Sequence, residues 1–373
     1  MSFIEAVTIP KWGMTMTEGT VLEWHAKEGD KVERGQELLE VESSKVNNVV
    51  EATVSGILRR IVIQEGEIAP VGALIGVIAD AEATDAEIDA LIESYAHCLD
   101  AGEGGDAGAV APKTVAVSSG SVNVLELGPQ SSESVLFIHG FGGDLSTWLF
   151  NQGVAAEKLR TIAVDLPGHG ASTPVAGDDV LKKITVAIEE AAEAVAPGKF
   201  HIVAHSFGGA VAVAFAADKP ESVASLTLIA PIGLGKVINK DFLTDFVAAE
   251  RRRPLQAALE KLFADPSVIT SEMIEGTLQF KRLEGVQEAL SNIASVISDE
   301  SGQVQYIGET LAALKCPVML LWGEQDGIIP VPQASELPSN VQLQVIPGVG
   351  HMPQMEASSV VNEAMLENIN RAR

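Results

Sequence analysis

Six apolar runs, "SVLFIHG", "TIAVDLPGHG", "FHIVAHS", "ASLTLIAP", "PVMLLWGEQD" and "VQLQVIPGVGH", are spaced along residues 113–373 with helical stretches between them. A run that is apolar at consecutive positions has no wet face. Such a strand belongs inside a parallel sheet covered by helices on both sides. The spacing therefore predicts an α/β domain of about 260 residues. Within it, "VAHSFGG" carries a strand straight into Ser206, and "FGGAVAVAFAA" opens a helix behind it. A nucleophile at such a corner needs small residues two positions to either side, because strand and helix backbones nearly touch there. Gly208 meets that need, and Ala204 stands where glycine is commoner. Taken alone, Ser206 would also suit the cap of an ordinary helix.

Two later motifs speak against the plain cap. "WGEQDGIIP" sets Asp326 just after a late strand and "PGVGHMPQ" sets His351 just after the last, giving the chain order Ser, Asp, His. This arrangement resembles the α/β-hydrolase family over residues 113–373. The resemblance implies that Ser206 attacks an acyl carbon, that His351 removes and returns its proton, and that Asp326 fixes the imidazole tautomer. It also implies an oxyanion hole made by the backbone N–H groups of Phe141, in "HGFGG", and Phe207, each donor typically worth about 3 kcal/mol of barrier. His139 and His169 read as scaffold residues of their loops, His201 as the start of a core strand, and His205 as packing. Residues 232 to about 310 interrupt the strand rhythm with more polar helical sequence, where this family often inserts a helical cap. There Arg251, Arg252 and Arg253 gather with Lys236, Lys240, Lys261, Lys281 and Arg282. A solvated helix face and a contact for the phosphates of coenzyme A both account for that cluster.

The first eighty residues repeat themselves. At an offset of 37, Gly19 aligns with Gly56, Glu28-Gly29 with Glu65-Gly66, and Gly35 with Gly72. Both copies run turn, short strand, glycine, apolar strand, which predicts two similar half-sheets packed face to face. Lys45, in "ESSK", falls between the copies at the hairpin that joins them. "PKWGMTMTEGTV", "KEGDKVERGQELLEVESSKV" and "ATVSGILRRIVIQEGE" make residues 1–79 similar to the all-β lipoyl domains of 2-oxo acid dehydrogenase complexes. That resemblance implies lipoate in amide linkage to Lys45. Ser44 and Val46 flank the lysine where Asp and Ala are commonest, and the paired methionines of biotin carrier domains are absent.

Between the two domains, residues 80–112 read as an acidic linker. Residues 81–112 hold eight acidic residues and no Lys or Arg. Ile88, Leu91, Ile92, Tyr95 and Leu99 keep helical spacing, so a short amphipathic helix is expected to lie on a neighbouring domain. The whole chain carries 25 basic and 51 acidic residues, a formal charge of −26. That balance repels nucleic acid and anionic membranes, whose binding rests on Lys and Arg clusters. No window supplies the roughly 18 apolar residues of a membrane span, and the start lacks an export signal, so a cytoplasmic location is expected. Cys98 and Cys316 have no metal or redox spacing, and no metal site is expected.

A lipoyl domain joined to an α/β-hydrolase domain resembles the dihydrolipoamide acetyltransferase components of acetoin dehydrogenase complexes. The resemblance implies acetyl transfer from the arm on Lys45 to coenzyme A. It also implies a multienzyme complex with a thiamine-diphosphate-dependent acetoin-cleaving component and a dihydrolipoamide dehydrogenase. The His-x-x-x-Asp-Gly motif of other lipoyl acyltransferases does not occur in this chain. A serine esterase or thioesterase tethered by its lipoyl domain is the alternative.

Overall fold

A computed structural model describes residues 4–9, 18–43, 46–52, 54–70, 73–80, 83–85, 88–89, 91–92, 111–335 and 337–373. The chain divides into two units, Met1–Ala111 and Pro112–Arg373.

The first unit contains β1 (Ile4–Thr8), β2 (Glu18–Trp24), β3 (Lys31–Val32), β4 (Glu37–Ser43), β5 (Val46–Glu51), β6 (Gly56–Ile61), β7 (Ile68–Pro70) and β8 (Leu74–Ala79). They form two four-stranded sheets, in the orders β1-β8-β6-β3 and β5-β4-β2-β7. Neither sheet is one copy of the repeat, as the half-sheet expectation had it. Each takes two strands from each copy, and replacing every strand by its counterpart four places on turns one sheet into the other. The apolar face of a single sheet needs a second layer to cover it. Interleaving puts Val7, Val21, Leu39 and Val41 of the first copy into one buried core with Val50, Leu58, Ile75 and Ile78 of the second. Gly29 and Gly66, equivalent turn positions, have φ of +92° and +85°, a region closed to most side chains.

The beginning of the acidic stretch packs on this unit. Ala83 and Ile88 are buried with Leu74, Val77 and Ala79, and Leu91 and Ile92 lie alongside. Arg59 donates to the carbonyls of Asp80 and Ala83 at 3.1 and 3.0 Å, and Arg60 pairs with Asp85 at 3.3 Å. Tyr95 and Leu99, the rest of the expected apolar face, lie outside the described residues.

In the second unit the strands are β9 (Lys113–Val117), β10 (Gly120–Leu127), β11 (Glu133–Ile138), β12 (Arg160–Val164), β13 (Lys199–His205), β14 (Val223–Ile229), the short hairpin β15 (Ser298–Asp299) and β16 (Gly302–Gln303), β17 (Val318–Gly323) and β18 (Val341–Ile346). Eight of them form a sheet in the order β18-β17-β14-β13-β11-β12-β10-β9. From β18 to β12 neighbours run parallel, and β10 and β9 add an antiparallel edge. Alternate residues enter opposite cores. Leu136, Ile202, Leu228 and Leu320 face helices Val180–Val195 and Phe207–Asp218, while Phe137, Val203, Ile229 and Leu321 face helices Gln152–Ala156 and Ser358–Arg371. Both faces are dry, hence the unbroken apolar runs. Between β14 and β17 the chain leaves the sheet for helices Lys240–Ala248, Arg252–Leu259, Ser271–Lys281 and Val286–Ile297.

Besides His351, four histidines of this unit are buried: His139 and His169 in loops beyond the strand ends, His201 and His205 on β13. The His139 ring donates through Nδ1 to Gly140 O at 2.7 Å and accepts through Nε2 from Leu166 N–H at 2.9 Å. His169 Nε2 accepts from Gly142 N–H at 3.0 Å. Burial holds all four below the ordinary imidazole value, His169 and His205 well below it. The native state thus refuses protons that the unfolded chain takes up near pH 6.5, and stability falls as pH drops below that value, by at most about 1.4 kcal/mol per pH unit for each group. Urea midpoints are expected to fall from pH 7.5 to 5.5. His169→Gln, whose amide oxygen can still accept from Gly142, is expected to flatten that slope, and the difference separates the imidazole from the carboxylates. An unchanged slope in the variant contradicts the assignment.

Candidate active site

Ser206 sits between β13 and helix Phe207–Asp218 with φ +52° and ψ −116°. For a non-glycine residue this conformation costs roughly 1–3 kcal/mol and persists only where the surroundings enforce it. Here they do. Ser206 N–H donates to Ile229 O at 2.9 Å, and its carbonyl accepts from Gly209 and Ile232 N–H at 2.9 and 3.2 Å. A Cβ on Gly208 would lie 2.4 Å from His139 O and 2.6 Å from Ile138 O, so the helix can start there only with glycine. Ala204 fits, fully buried in the core on the helix side of β13.

The loops after β17 and β18 are stitched backbone to backbone. Glu324 N–H donates to Ile346 O at 2.9 Å and Gln325 N–H to Val349 O at 2.8 Å. A Cβ on Gly323 would stand 1.9 Å from Gly350 O, and only glycine permits that approach. Trp322 Nε1 donates to Ile329 O at 2.9 Å and closes the first loop. Asp326 Oδ1 accepts from Ile328 and Ile329 N–H, both at 2.8 Å, which leaves Oδ2 for the ring of His351. His351 Nδ1 lies 2.8 Å from Asp326 Oδ2, and His351 Nε2 lies 3.0 Å from Ser206 Oγ. The three residues from distant parts of the chain form one hydrogen-bonded line, with Ser206 7 % exposed and His351 1 %. In this tautomer Nδ1–H donates to the carboxylate and Nε2 can accept the serine proton, which is the arrangement of a general base beside its nucleophile.

Phe141 and Phe207 are both buried, and among the described residues neither backbone N–H donates to a protein acceptor. The loop bearing Phe141 is held by the two histidines above, and the Phe141 ring meets Phe242 and Phe246 of the inserted helices at 6.3 and 5.4 Å between centroids. Lys281 Nζ donates to the carbonyls of Phe246 and Val247 at the end of helix Lys240–Ala248 and lies 4.5 Å from the centre of the Phe246 ring. Burial lowers this amine to about 8. Lys281 therefore leaves the basic surface to which its sequence assigned it.

The rest of that surface is partly engaged. Arg252 pairs with Glu275 at 2.8 Å and Lys261 with Asp245 at 2.6 Å, while Arg251 and Arg253 are exposed. Lys45 lies outside the described residues. The strands that precede and follow it in the sequence, β4 and β5, pair antiparallel with Ser43 opposite Val46.

Three residues to which the sequence assigned no part in the chemistry also touch the site. Asn239 donates to Gly327 O at 3.2 Å, beside Asp326. Glu356 accepts from Gly350 and Ala264 N–H, both at 2.7 Å, and so clips the inserted segment to the loop of His351. His205, expected as packing, places Nε2 2.8 Å from His351 O. "GHMPQME" holds Glu356 near His351 in sequence, but its partner at Ala264 has no local signal.

Residues 135–364 match the alpha/beta hydrolase family, and residues 5–78 match the biotin-requiring enzyme family of lipoyl and biotinyl domains. The solved 2-hydroxy-6-oxo-6-phenylhexa-2,4-dienoate hydrolase of a Rhodococcus species is 20% identical with a TM-score of 0.63, covering 70% of this chain and 99% of its own, a likeness of fold. Over nearly the full length, the chain is 41% identical to the dihydrolipoyllysine-residue acetyltransferase component of the acetoin cleaving system of Pseudomonas putida, covering 98% of each. It is 38% identical to the component of that name from Cupriavidus necator, covering 97% of this chain and 96% of the other. With a β-rich lipoyl unit ahead of an α/β-hydrolase unit, the chain belongs to the family of dihydrolipoyllysine-residue acetyltransferase components of acetoin cleaving systems.

Proposed function

We propose that this chain transfers an acetyl group from a lipoyl arm on Lys45 to coenzyme A by way of Ser206. The observation that carries the reading is the unbroken line Ser206–His351–Asp326 in a chain that also holds a lipoyl domain. A lipoyl group in amide linkage to Lys45 supplies the sulfur from which the acetyl group is taken. Ser206 Oγ attacks the carbonyl carbon while its proton passes to His351 Nε2. The oxyanion that forms accepts from the N–H groups of Phe141 and Phe207. As the carbon–sulfur bond breaks, His351 returns its proton to the departing thiolate. His351 Nε2 then takes the proton of the coenzyme A thiol, the sulfur attacks the acetylated Ser206, and the serine oxygen leaves with that proton. Asp326 holds the imidazole orientation and stabilises its charged form throughout.

Water competes with the thiol for the acetylated serine. The inserted helices, tied to the loops of Asp326 and His351 through Asn239 and Glu356, are assigned the work of excluding it. Exposed Arg251 and Arg253 are assigned to the phosphates of coenzyme A, with Arg252 already paired to Glu275. By this reading the partners are a thiamine-diphosphate-dependent acetoin-cleaving component and a dihydrolipoamide dehydrogenase in one complex.

With S-acetyl-dihydrolipoamide and coenzyme A, the chain is expected to form acetyl-CoA faster than acetate. Ser206→Ala is expected to lower that rate by about 10⁴-fold or more. Acetyl-CoA formation that survives the substitution rules out the covalent route, and acetate released equally fast with or without coenzyme A makes the protein a hydrolase. Arg251→Gln and Arg253→Gln are expected to raise the KM for coenzyme A severalfold and leave the acylation of Ser206 unchanged. An unaltered KM in the double variant removes both arginines from the acceptor site.

A further inference from the structure

His351 is held at four points, and the chemistry uses two of them. Its ring spans Ser206 Oγ and Asp326 Oδ2. Its backbone N–H donates to Leu262 O at 2.8 Å, and its carbonyl accepts from His205 Nε2 at 2.8 Å. Since a carbonyl only accepts, His205 Nε2 carries the proton and Nδ1 the lone pair. Burial, reinforced by the neighbouring His351, keeps the His205 ring neutral, so that tautomer has a single N–H to give.

The ring of His205 has no room to turn away. A Cβ on Gly140 would stand 2.7 Å from its Nδ1 and 2.9 Å from Ser206 Cβ, so the loop that carries the oxyanion donor presses on both. On the other side the rings of His205 and His351 lie 4.8 Å apart between centroids. His205 is also the residue before Ser206, so its backbone shares the constrained corner. One imidazole thus touches the nucleophile's strand, the oxyanion loop and the backbone of the base.

We infer that His205 is a positioning residue for acyl transfer, whose Nε2–H bond to the carbonyl of His351 sets the distance between His351 Nε2 and Ser206 Oγ. The inference rests on the reading of Ser206 and His351 as nucleophile and base. Rotation of the His351 backbone moves the far ring nitrogen most, and misplacement of about 1 Å at a reacting centre costs on the order of 100-fold in rate. Removal of the bond is expected to act on the chemical step and not on substrate binding.

The test uses the full chain and the burst of nitrophenolate from p-nitrophenyl acetate, which reports acylation of Ser206 without lipoamide or coenzyme A. His205→Phe keeps an aromatic ring, somewhat larger than imidazole, and removes the donor; His205→Gln keeps a donor the same number of bonds from Cβ. The expected result for His205→Phe is a fall of about 10- to 100-fold in the saturating acylation rate with half-saturation within twofold of the parent. His205→Gln is expected to recover to within about threefold of the parent. A Phe variant within twofold of the parent overturns the inference, as does an equal loss in Phe and Gln or a loss confined to half-saturation. If His205→Phe does not fold, His205→Met takes its place under the same criteria. His351→Ala separates the levels: a burst that survives it defeats the base assignment and this inference together, whereas a burst lost in His351→Ala but retained in His205→Phe defeats this inference alone.

Discussion

The close approach of Gly323 to the carbonyl of Gly350 is the constraint on which the site depends. A side chain at position 323 would overlap that oxygen, so the loops after β17 and β18 can be joined by backbone hydrogen bonds only because none is there. The joining places Asp326 and His351 within 2.8 Å of each other at the carboxyl ends of neighbouring strands. Ser206 lies two strands further in, at the end of β13, with β14 between it and β17. The imidazole of His351 has to bridge that gap. Its loop is therefore fastened on several sides, to Leu262, to Glu356 and to His205.

Strain and support balance at Ser206. The left-handed φ of Ser206 lifts its hydroxyl out of the strand, and three backbone hydrogen bonds with two close glycine contacts, at Gly208 and Gly140, keep it there. The inserted helices are part of the same structure, not a separate lid. Asn239 at the start of one helix bonds beside Asp326, Ala264 bonds with Glu356 beside His351, and Phe246 packs on the loop of Phe141. Any displacement of these helices acts on the loops of Asp326, His351 and Phe141 at once.

A different economy governs the first unit. Because its two copies exchange strands, each sheet depends on both halves of the repeat, and neither half has a core of its own. The pairing of β4 with β5 links the copies within one sheet, and the lysine assigned to the arm directly precedes Val46, the first residue of β5. The acidic stretch begins as part of this unit, with Ile88 buried against β8 and Asp85 beside Arg59 and Arg60.

Much of this was readable along the chain, since apolar runs, turn glycines, the small residues around Ser206 and the order Ser, Asp, His are properties of contiguous residues. Lys45 between the repeat copies and the α/β alternation belong to the same class. What could not be read depends on groups that meet only when the sheet closes. His205 and His351 are 146 residues apart along the chain, and nothing local distinguishes a packing imidazole from one that donates to the carbonyl of another histidine. Lys281 reads as surface charge until the ends of two helices meet and bury its amine against Phe246. The exchange of strands is invisible in a repeat that would look the same unexchanged. The chain alone carries the patterns of the two folds, the order Ser206, Asp326, His351 and the lysine assigned to the arm, because each is a short local arrangement of particular residues. Tertiary structure alone decided which carbonyls, rings and carboxylates hold those residues in line, because a hydrogen bond between distant segments exists only after the backbone has brought them to about 3 Å.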